Sequence, residues 1–315
     1  MKKTTRLMEL FHRKEIFVLA GGGCALHARL AEAAGLEAAY MSGSMTSAHI
    51  LGMPDAGLIT MTEMVRNAAY MANAVSIPLF ADADTGYGNA VNVRRTVQEF
   101  IQAGAAGIHL EDQVAPKRCG FVKGKEVISL EEAVGKYRAA VDAKRELDPD
   151  FVIAARTDAR GASGGSLEEA IRRAQAYKKA GVDVVYVEGP QSKEEVAEVR
   201  RAVDGPLMST LYAIQPHPTL EEMQAMGLAA AFFSRLAARA GYIAAWDFLQ
   251  DFRRRGVQAE IDLEKRTRDH PLAGLKLFDL LGFGDVREME EKYLPWDVQE
   301  RYQQSLGLYE PGRRA

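Results

Sequence analysis

Eight short apolar runs alternate with longer amphipathic ones between Ile16 and Ser234, and this alternation restricts the fold more than any other feature. The runs open at Ile16, Glu37, Pro78, Gly107, Phe151, Val182, Pro206 and Leu228, with the seventh, P-L-M-S-T, the weakest. They are apolar nearly throughout, as strands are when both of their faces are covered. Helical patterning is expected over 4–12, 24–32, 61–76, 90–103, 129–147, 166–180, 192–203 and 219–226. Strands and helices in strict alternation point to a parallel sheet closed into a (β/α)8 barrel. The other arrangement, an open doubly wound sheet, lacks the dinucleotide fingerprint that would favour it. The pattern stops near 235, which divides the chain into a barrel over 1–240 and a helical extension over 241–315. Pro271 and Pro295 break that extension, which is expected to pack on the barrel or on a neighbouring subunit.

Composition excludes several classes. A net charge of -3 with no long basic cluster argues against nucleic acid. No run approaches the ~18 apolar residues of a membrane helix, and the N-terminus has no continuous apolar signal segment. Cys24 and Cys119 are the only cysteines among 315 residues, which favours a reducing cytoplasm over a disulfide framework.

In such a barrel the functional groups come from the carboxyl ends of the strands. There the sequence offers Ser42, Gly43 and Ser44 after the second strand, read as a small-residue loop, and Asp82 and Asp84 after the third. Glu111 ends the fourth, Arg156 and Asp158 the fifth, and Glu188 the sixth. A lone Asp in a loop is most often a cap or turn residue. Several acids at neighbouring strand ends, without histidine, suit a hard cation on oxygen ligands, Mg²⁺ or Mn²⁺ rather than zinc. A polar loop after the fourth strand adds Lys117, Arg118 and Cys119, with Gly120 and Gly124 as hinges, and reads as a lid. The two cations are expected to favour the Cys119 thiolate and the loop to keep it accessible. Cys24 lacks such surroundings and reads as structural, Gly21–Gly23 as a strand-to-helix turn rather than a phosphate cradle. His109 reads as a hydrogen-bonded core residue and His217 as a loop residue.

D-A-D-T-G-Y-G-N from Asp82, L-E-D-Q-V-A-P-K-R-C-G from Leu110, A-A-R-T-D-A from Ala154 and V-E-G-P from Val187 resemble the isocitrate lyase/phosphoenolpyruvate mutase superfamily. The resemblance covers roughly 10–240 and is closest to the short-chain branch that holds 2-methylisocitrate lyase and 2,3-dimethylmalate lyase. It implies a Mg²⁺-dependent carbon–carbon lyase for a substituted 2-hydroxy di- or tricarboxylic acid. Asp82, Asp84 and Glu111 would hold the metal, directly or through water. Cys119 would be the general acid, with Lys117 supporting the gate loop, Arg156 stabilising the oxyanion and Glu188 opposite. Tyr40, Ser42, Gly43, Ser44, Asp55, Gly120, Phe121, Thr210 and Tyr212 would face the substrate. The resemblance also implies a homotetramer, a dimer of dimers, in which paired subunits exchange their eighth helix.

Two departures bear on specificity. The lyases usually have His after K-R-C-G or K-K-C-G, where this chain has Phe121, which predicts a drier pocket. On the seventh strand Thr210 and Tyr212 occupy the region of an N-x-T motif, in contact with the distal carboxylate, so a less charged or bulkier acid than methylisocitrate is expected. The competing expectations are an oxaloacetate hydrolase or decarboxylase, a phosphonate P–C bond mutase, and a catalytically silent metabolite-binding protein.

Overall fold

In the computed structural model, which describes residues 1–310, each apolar run becomes a strand. These are β1 Phe17–Gly22, β2 Ala38–Met41, β3 Leu79–Asp82, β4 Gly107–Glu111, β5 Val152–Thr157, β6 Val184–Val187, β7 Leu207–Ser209 and β8 Ala230–Phe233. All pair in parallel, in the order β7-β6-β5-β4-β3-β2-β1-β8. Between β7 and β8 the Ala229 N–H donates to the Leu207 carbonyl at 2.8 Å. The fold is therefore the expected (β/α)8 barrel, nearly closed, with its seam at the strand of weakest pattern.

Helices α1 Lys3–His12, α2 Ala25–Ala33, α3 Gly43–Leu51, α4 Met61–Ala74, α5 Ala90–Gln102, α6 Leu130–Leu147, α7 Leu167–Lys179, α8 Lys193–Ala202 and α9 Leu220–Ala225 accompany the strands. Most start where the sequence offers a cap. Thr60 and Glu63 form a reciprocal box on α4, and Ser129, Ser166 and Ser192 accept the N–H three residues on at α6, α7 and α8. Each such cap contributes ~1 kcal/mol. The stretch expected as a loop, Ser42–Ser44, instead opens α3: Ser42 Oγ accepts the Met45 N–H, and Gly52 ends the helix at φ 62°. G-S-M-T-S-A-H-I-L carries no clear apolar stripe, so only its cap and its stop were readable.

Strand residues alternate between two cores. Tyr40, Phe80, Ala154, Tyr186 and Phe232 point inward, with Leu7, Leu10 and Phe11 of α1, while Met41, Ala81, Ile153 and Val185 pack under the helices. The Phe11 ring lies 5.0 Å from Phe17 and 5.7 Å from Phe80, so α1 plugs the amino ends of the strands. Full burial of a ring like Phe11 is worth about 1.5–3 kcal/mol. With that end filled, the carboxyl ends are left for chemistry. Register places Asp82 beside His109, Glu111 beside Arg156, and Arg156 beside Tyr186.

The chain forms two compact units, Met1–Ala240 and a second from Gly241 onward. The second contains most of α10 Leu236–Arg255, then α11 Val257–Thr267, a short 3₁₀ turn at Gly274–Lys276, α12 Leu277–Leu281, α13 Phe283–Tyr293 and α14 Trp296–Gln303. It leaves Trp246, Leu249, Tyr293 and Trp296 exposed. No helix of the described residues is long and apolar enough to cross a membrane.

Candidate active site

β3 ends on Asp82, and the chain turns through Asp84 at φ 46°, a left-handed conformation that Asp tolerates better than most residues. The Asp84 N–H donates to Asp82 Oδ1 (3.0 Å), which folds the two carboxylates into one buried corner. Asp82 Oδ2 accepts the Gly43 N–H at 3.1 Å and the Tyr40 hydroxyl at 3.3 Å. A Cβ at Gly43 would lie 2.6 Å from that oxygen, so only glycine lets the start of α3 come so close. Ser42 and Ser44 bring their hydroxyls within 3.0 Å of each other at this same helix start, where the helix dipole favours an anion.

Lys117 reaches into this corner from the loop after β4. Its ammonium lies 2.5 Å from Asp55 Oδ1 and 2.8 Å from Asp84 Oδ1. The loop is tied down on this side: the Gln113 side chain bonds both the N–H and the carbonyl of Arg118, and the Cys119 N–H donates to the Asp55 carbonyl at 3.1 Å. Asp112, next to Glu111, faces away, accepting from Tyr177 and pairing with Arg173.

Across the barrel, the Arg156 guanidinium forks onto Asp158 (2.8 and 2.9 Å) and passes 3.3 Å from Glu111 Oε2. The hydroxyls of Tyr186 and Thr210 both donate to Glu188 Oε2, at 2.5 and 2.7 Å. Gly120 lies against this wall, so near that a Cβ there would stand 2.4 Å from Glu188 Oε1 and 2.8 Å from Arg156 Nη2. Lys125 holds the loop in that position by donating to the Gly120 carbonyl at 2.6 Å. Phe121 and Tyr212 meet edge to face at 5.3 Å, and the Arg235 guanidinium sits 5.2 Å from the first ring and 5.6 Å from the second. The structure thus gathers Asp55, Asp82, Asp84 and Gly43 around Lys117 and pairs Phe121 with Tyr212, while Glu111, Arg156, Glu188 and Gly120 meet along the wall.

Burial governs the electrostatics. It pushes Asp84 up to about 6 despite the Lys117 ammonium, with Asp82 and Asp55 adding to the rise. Glu111 is driven well above the carboxylate range by the same cause, against the pull of Arg156 and Lys117. Burial opposes the charge of Asp82 too, yet neighbouring positive charge and the Asp84 N–H bring it down to about 2. His109 is itself held to about 4 by burial, so at neutral pH Lys117 and Arg156 supply that charge. Both Glu111 oxygens and the Tyr87 hydroxyl are buried without a hydrogen-bond partner among the described residues. The buried carboxylates of Asp82, Asp84 and Glu111, with both Glu111 oxygens outside any hydrogen bond among the described residues, are a donor set that a hard divalent cation fits.

The Cys119 thiol differs from expectation. It is half-buried rather than open, and burial raises it above the usual thiol value, with Asp55 adding to the rise. The Phe121 N–H, Lys117 and Arg156 pull the other way and do not prevail. Lys117 spends its charge on Asp55 and Asp84, so the loop holds a thiol rather than a thiolate. Three residues escaped the sequence reading. Tyr186 is hidden in an apolar strand, Lys125 lies beyond the loop, and Arg235 follows β8, whose end the sequence reading left without a candidate. Arg235 was findable, as a cation at a strand's carboxyl end.

The phosphoenolpyruvate phosphomutase family model matches residues 7–252. A 2,3-dimethylmalate lyase of Eubacterium barkeri is 38% identical, covering 93% of this chain and 99% of that protein. A 2-methylisocitrate lyase of Aeropyrum pernix is 39% identical over 90% of this chain and 89% of its own. An oxaloacetate acetylhydrolase bound to 3,3-difluorooxalacetate superposes with a TM-score of 0.81 at 36% identity, over 92% and 97% of the two chains. A phosphonopyruvate hydrolase in complex with oxalate and Mg²⁺ does so with a TM-score of 0.82 at 32% identity, over 94% and 100%.

Proposed function

This chain belongs to the phosphoenolpyruvate mutase/isocitrate lyase superfamily, and from that premise we propose that it splits the C2–C3 bond of a substituted 2-hydroxy dicarboxylic acid, dimethylmalate-like in size. The products are an α-keto acid and a second carboxylic acid. The observation that carries this reading is the Cys119 thiol, held on a loop whose next residue, Gly120, packs against Arg156 and Glu188 across from the acid corner.

Asp82, Asp84 and Glu111 would hold Mg²⁺, or Mn²⁺ in its place, either directly or through water. Bound there, the ion supplies Lewis acidity toward the substrate's 2-oxygen and α-carboxylate. The opening turn of α3, with Ser42, Gly43 and Ser44, takes that carboxylate. The 2-hydroxyl proton passes to the carboxylate cluster, the C2–C3 bond breaks, and C2 becomes the carbonyl carbon. Arg156 places fixed charge where the oxyanion forms. The bond's electron pair stays on C3 as a carbanion next to the second carboxylate, and Cys119 protonates it while the loop excludes water. The remaining thiolate regains its proton from solvent when the loop opens.

For the far end of the substrate, Phe121 and Tyr212 offer ring faces to alkyl groups, and Arg235 offers the charge for the second carboxylate. Its Nε is buried with no hydrogen-bond partner among the described residues, and two rings fix its position. This supports a bulky dicarboxylate over a tricarboxylate.

The exposed Trp246, Leu249, Tyr293 and Trp296 support a homotetramer in which the region from 241 exchanges a helix between paired subunits; a monomeric mass by light scattering would refute it. Cysteine usage supports a cytoplasmic location, which a reporter fusion tests. A panel of substituted malates, citrates and oxaloacetate, assayed with Mg²⁺ for α-keto acid release, tests the activity. Release of an α-keto acid with a second acid from an alkylated malate is the expected result. Turnover of oxaloacetate alone would assign the protein to the hydrolytic branch instead.

A further inference from the structure

A second group of metal-competent side chains stands where the β1–α2 turn meets α3. Cys24 is the N-cap of α2 and its thiol makes no capping bond, His27 follows one turn later, and His49 lies in the last turn of α3. One donor atom from each of the three lies within 4.8 Å of the other two. The His27 and His49 rings are 5.4 Å apart at 69°.

The fold brings them together by close backbone packing. A Cβ at Gly23 would stand 2.3 Å from the Met45 carbonyl oxygen, and one at Gly22 2.4 Å from the Cβ of His27. Asn67 Nδ2 lies within bonding distance of both the Gly23 carbonyl (3.1 Å) and Thr46 Oγ1 (3.2 Å), clamping the turn to α3. The Gly23 N–H donates to His27 Nδ1 at 3.1 Å; a neutral imidazole has a single nitrogen lone pair, so an ion bound by this ring replaces that bond. The glycine run read as a simple turn is therefore what allows Cys24 and His27 to reach His49.

We infer that Cys24, His27 and His49 bind a borderline-soft divalent ion of the Zn²⁺ class, with the fourth position open to water. One sulfur and two imidazole nitrogens suit such an ion and are poor donors for Mg²⁺, whereas the oxygen-only acid corner has the opposite preference. Burial and the nearby His49 both hold the His27 imidazole in its neutral form, the form that coordinates. His49 is exposed and the other two are half-buried, so an ion can enter from solvent. The ion clasps the far end of the helix whose first residues lie beside Asp82.

Chelator-treated full-length protein titrated with Co²⁺ as an optical probe tests this. The expected result is a thiolate-to-cobalt charge-transfer band with strong visible absorption of a four-coordinate ion, displaced by Zn²⁺ and not by Mg²⁺. Cys24→Ser abolishes the band, and Cys119→Ser leaves it in place. His49→Ala, on an exposed position that leaves folding intact, weakens Co²⁺ by at least roughly 10-fold, the scale on which even outer-shell contacts matter. No charge-transfer band in the unsubstituted protein, a band that survives Cys24→Ser, or one lost with Cys119→Ser would overturn the assignment.

Discussion

The two halves of the barrel mouth are built on opposite principles. On the β2–β4 side, Asp55, Asp82, Asp84 and Glu111 crowd around a single ammonium, and burial raises the pKa of two of them. On the β7–β8 side, Arg235 is wrapped in aromatic rings and has no anionic partner among the described residues. The first half has negative charge in excess and demands a cation; the second has a cation waiting for an anion. In the proposed reaction, chemistry falls to the first and selection of the substrate's tail to the second, with Arg156, Glu188 and the Cys119 loop between them. Substitutions in the first half or in the loop should lower kcat, and substitutions in the second should act on kcat/KM and depend on the substrate.

The largest effect is expected at the junction. Cys119→Ala should lower kcat roughly 10²–10⁴-fold, the usual worth of a positioned acid, with KM little changed. A variant that keeps full activity would place the chemistry on the mutase side of the superfamily. The pH profile gives an independent reading. An acid must carry its proton, so the contribution of Cys119 should be complete below its pKa and be lost as pH rises through it. Burial raises that pKa, so the alkaline limb should lie above the ordinary thiol range, and Cys119→Ser should remove it.

Gly120→Ala comes next. The added carbon would stand 2.4 Å from a Glu188 oxygen that is buried and cannot retreat far, so the loop must lift from the wall. A misplacement of about 1 Å in a positioned group costs on the order of 10²-fold in rate. Stopped-flow kinetics should show slower chemistry with substrate binding largely kept; unchanged turnover would mean that the loop works in a more open position.

What the sequence revealed follows the same division. The acid corner was legible because Asp82, Asp84 and Glu111 interrupt apolar strands at their carboxyl ends, where a charged residue has little structural reason to be. The aromatic patch was legible only in part: Phe121 and Tyr212 stood out against a resemblance, and Arg235 resembled any helix-starting cation. Its isolation from every acid is a property of three segments meeting, which no local pattern encodes. The same holds for Cys24, read as structural until α3 brought His49 to it. The helix α3 itself was missed because its residues lack a stripe, while the barrel strands were found to within about two residues because both of their faces are buried.

Arg235→Leu separates the halves most cleanly. A hydrogen bond to a charged group contributes about 1.5–3 kcal/mol, so loss of the guanidinium should cut kcat/KM roughly 10- to 100-fold for a substrate with a distal carboxylate. The corresponding amide or ester should be affected far less, and an equal loss for both would mean that Arg235 supports the fold rather than the tail. The smallest effect is expected from Tyr212→Leu. It keeps an apolar wall and removes one of the two rings that hold the guanidinium, a cation–π contact worth about 0.5–1 kcal/mol, or roughly 2- to 5-fold in affinity. The loss should vanish in an Arg235→Leu background, because the ring acts on the substrate through the cation. If instead the two losses add, Tyr212 touches the substrate directly, and the aromatic half sorts by shape more than by charge.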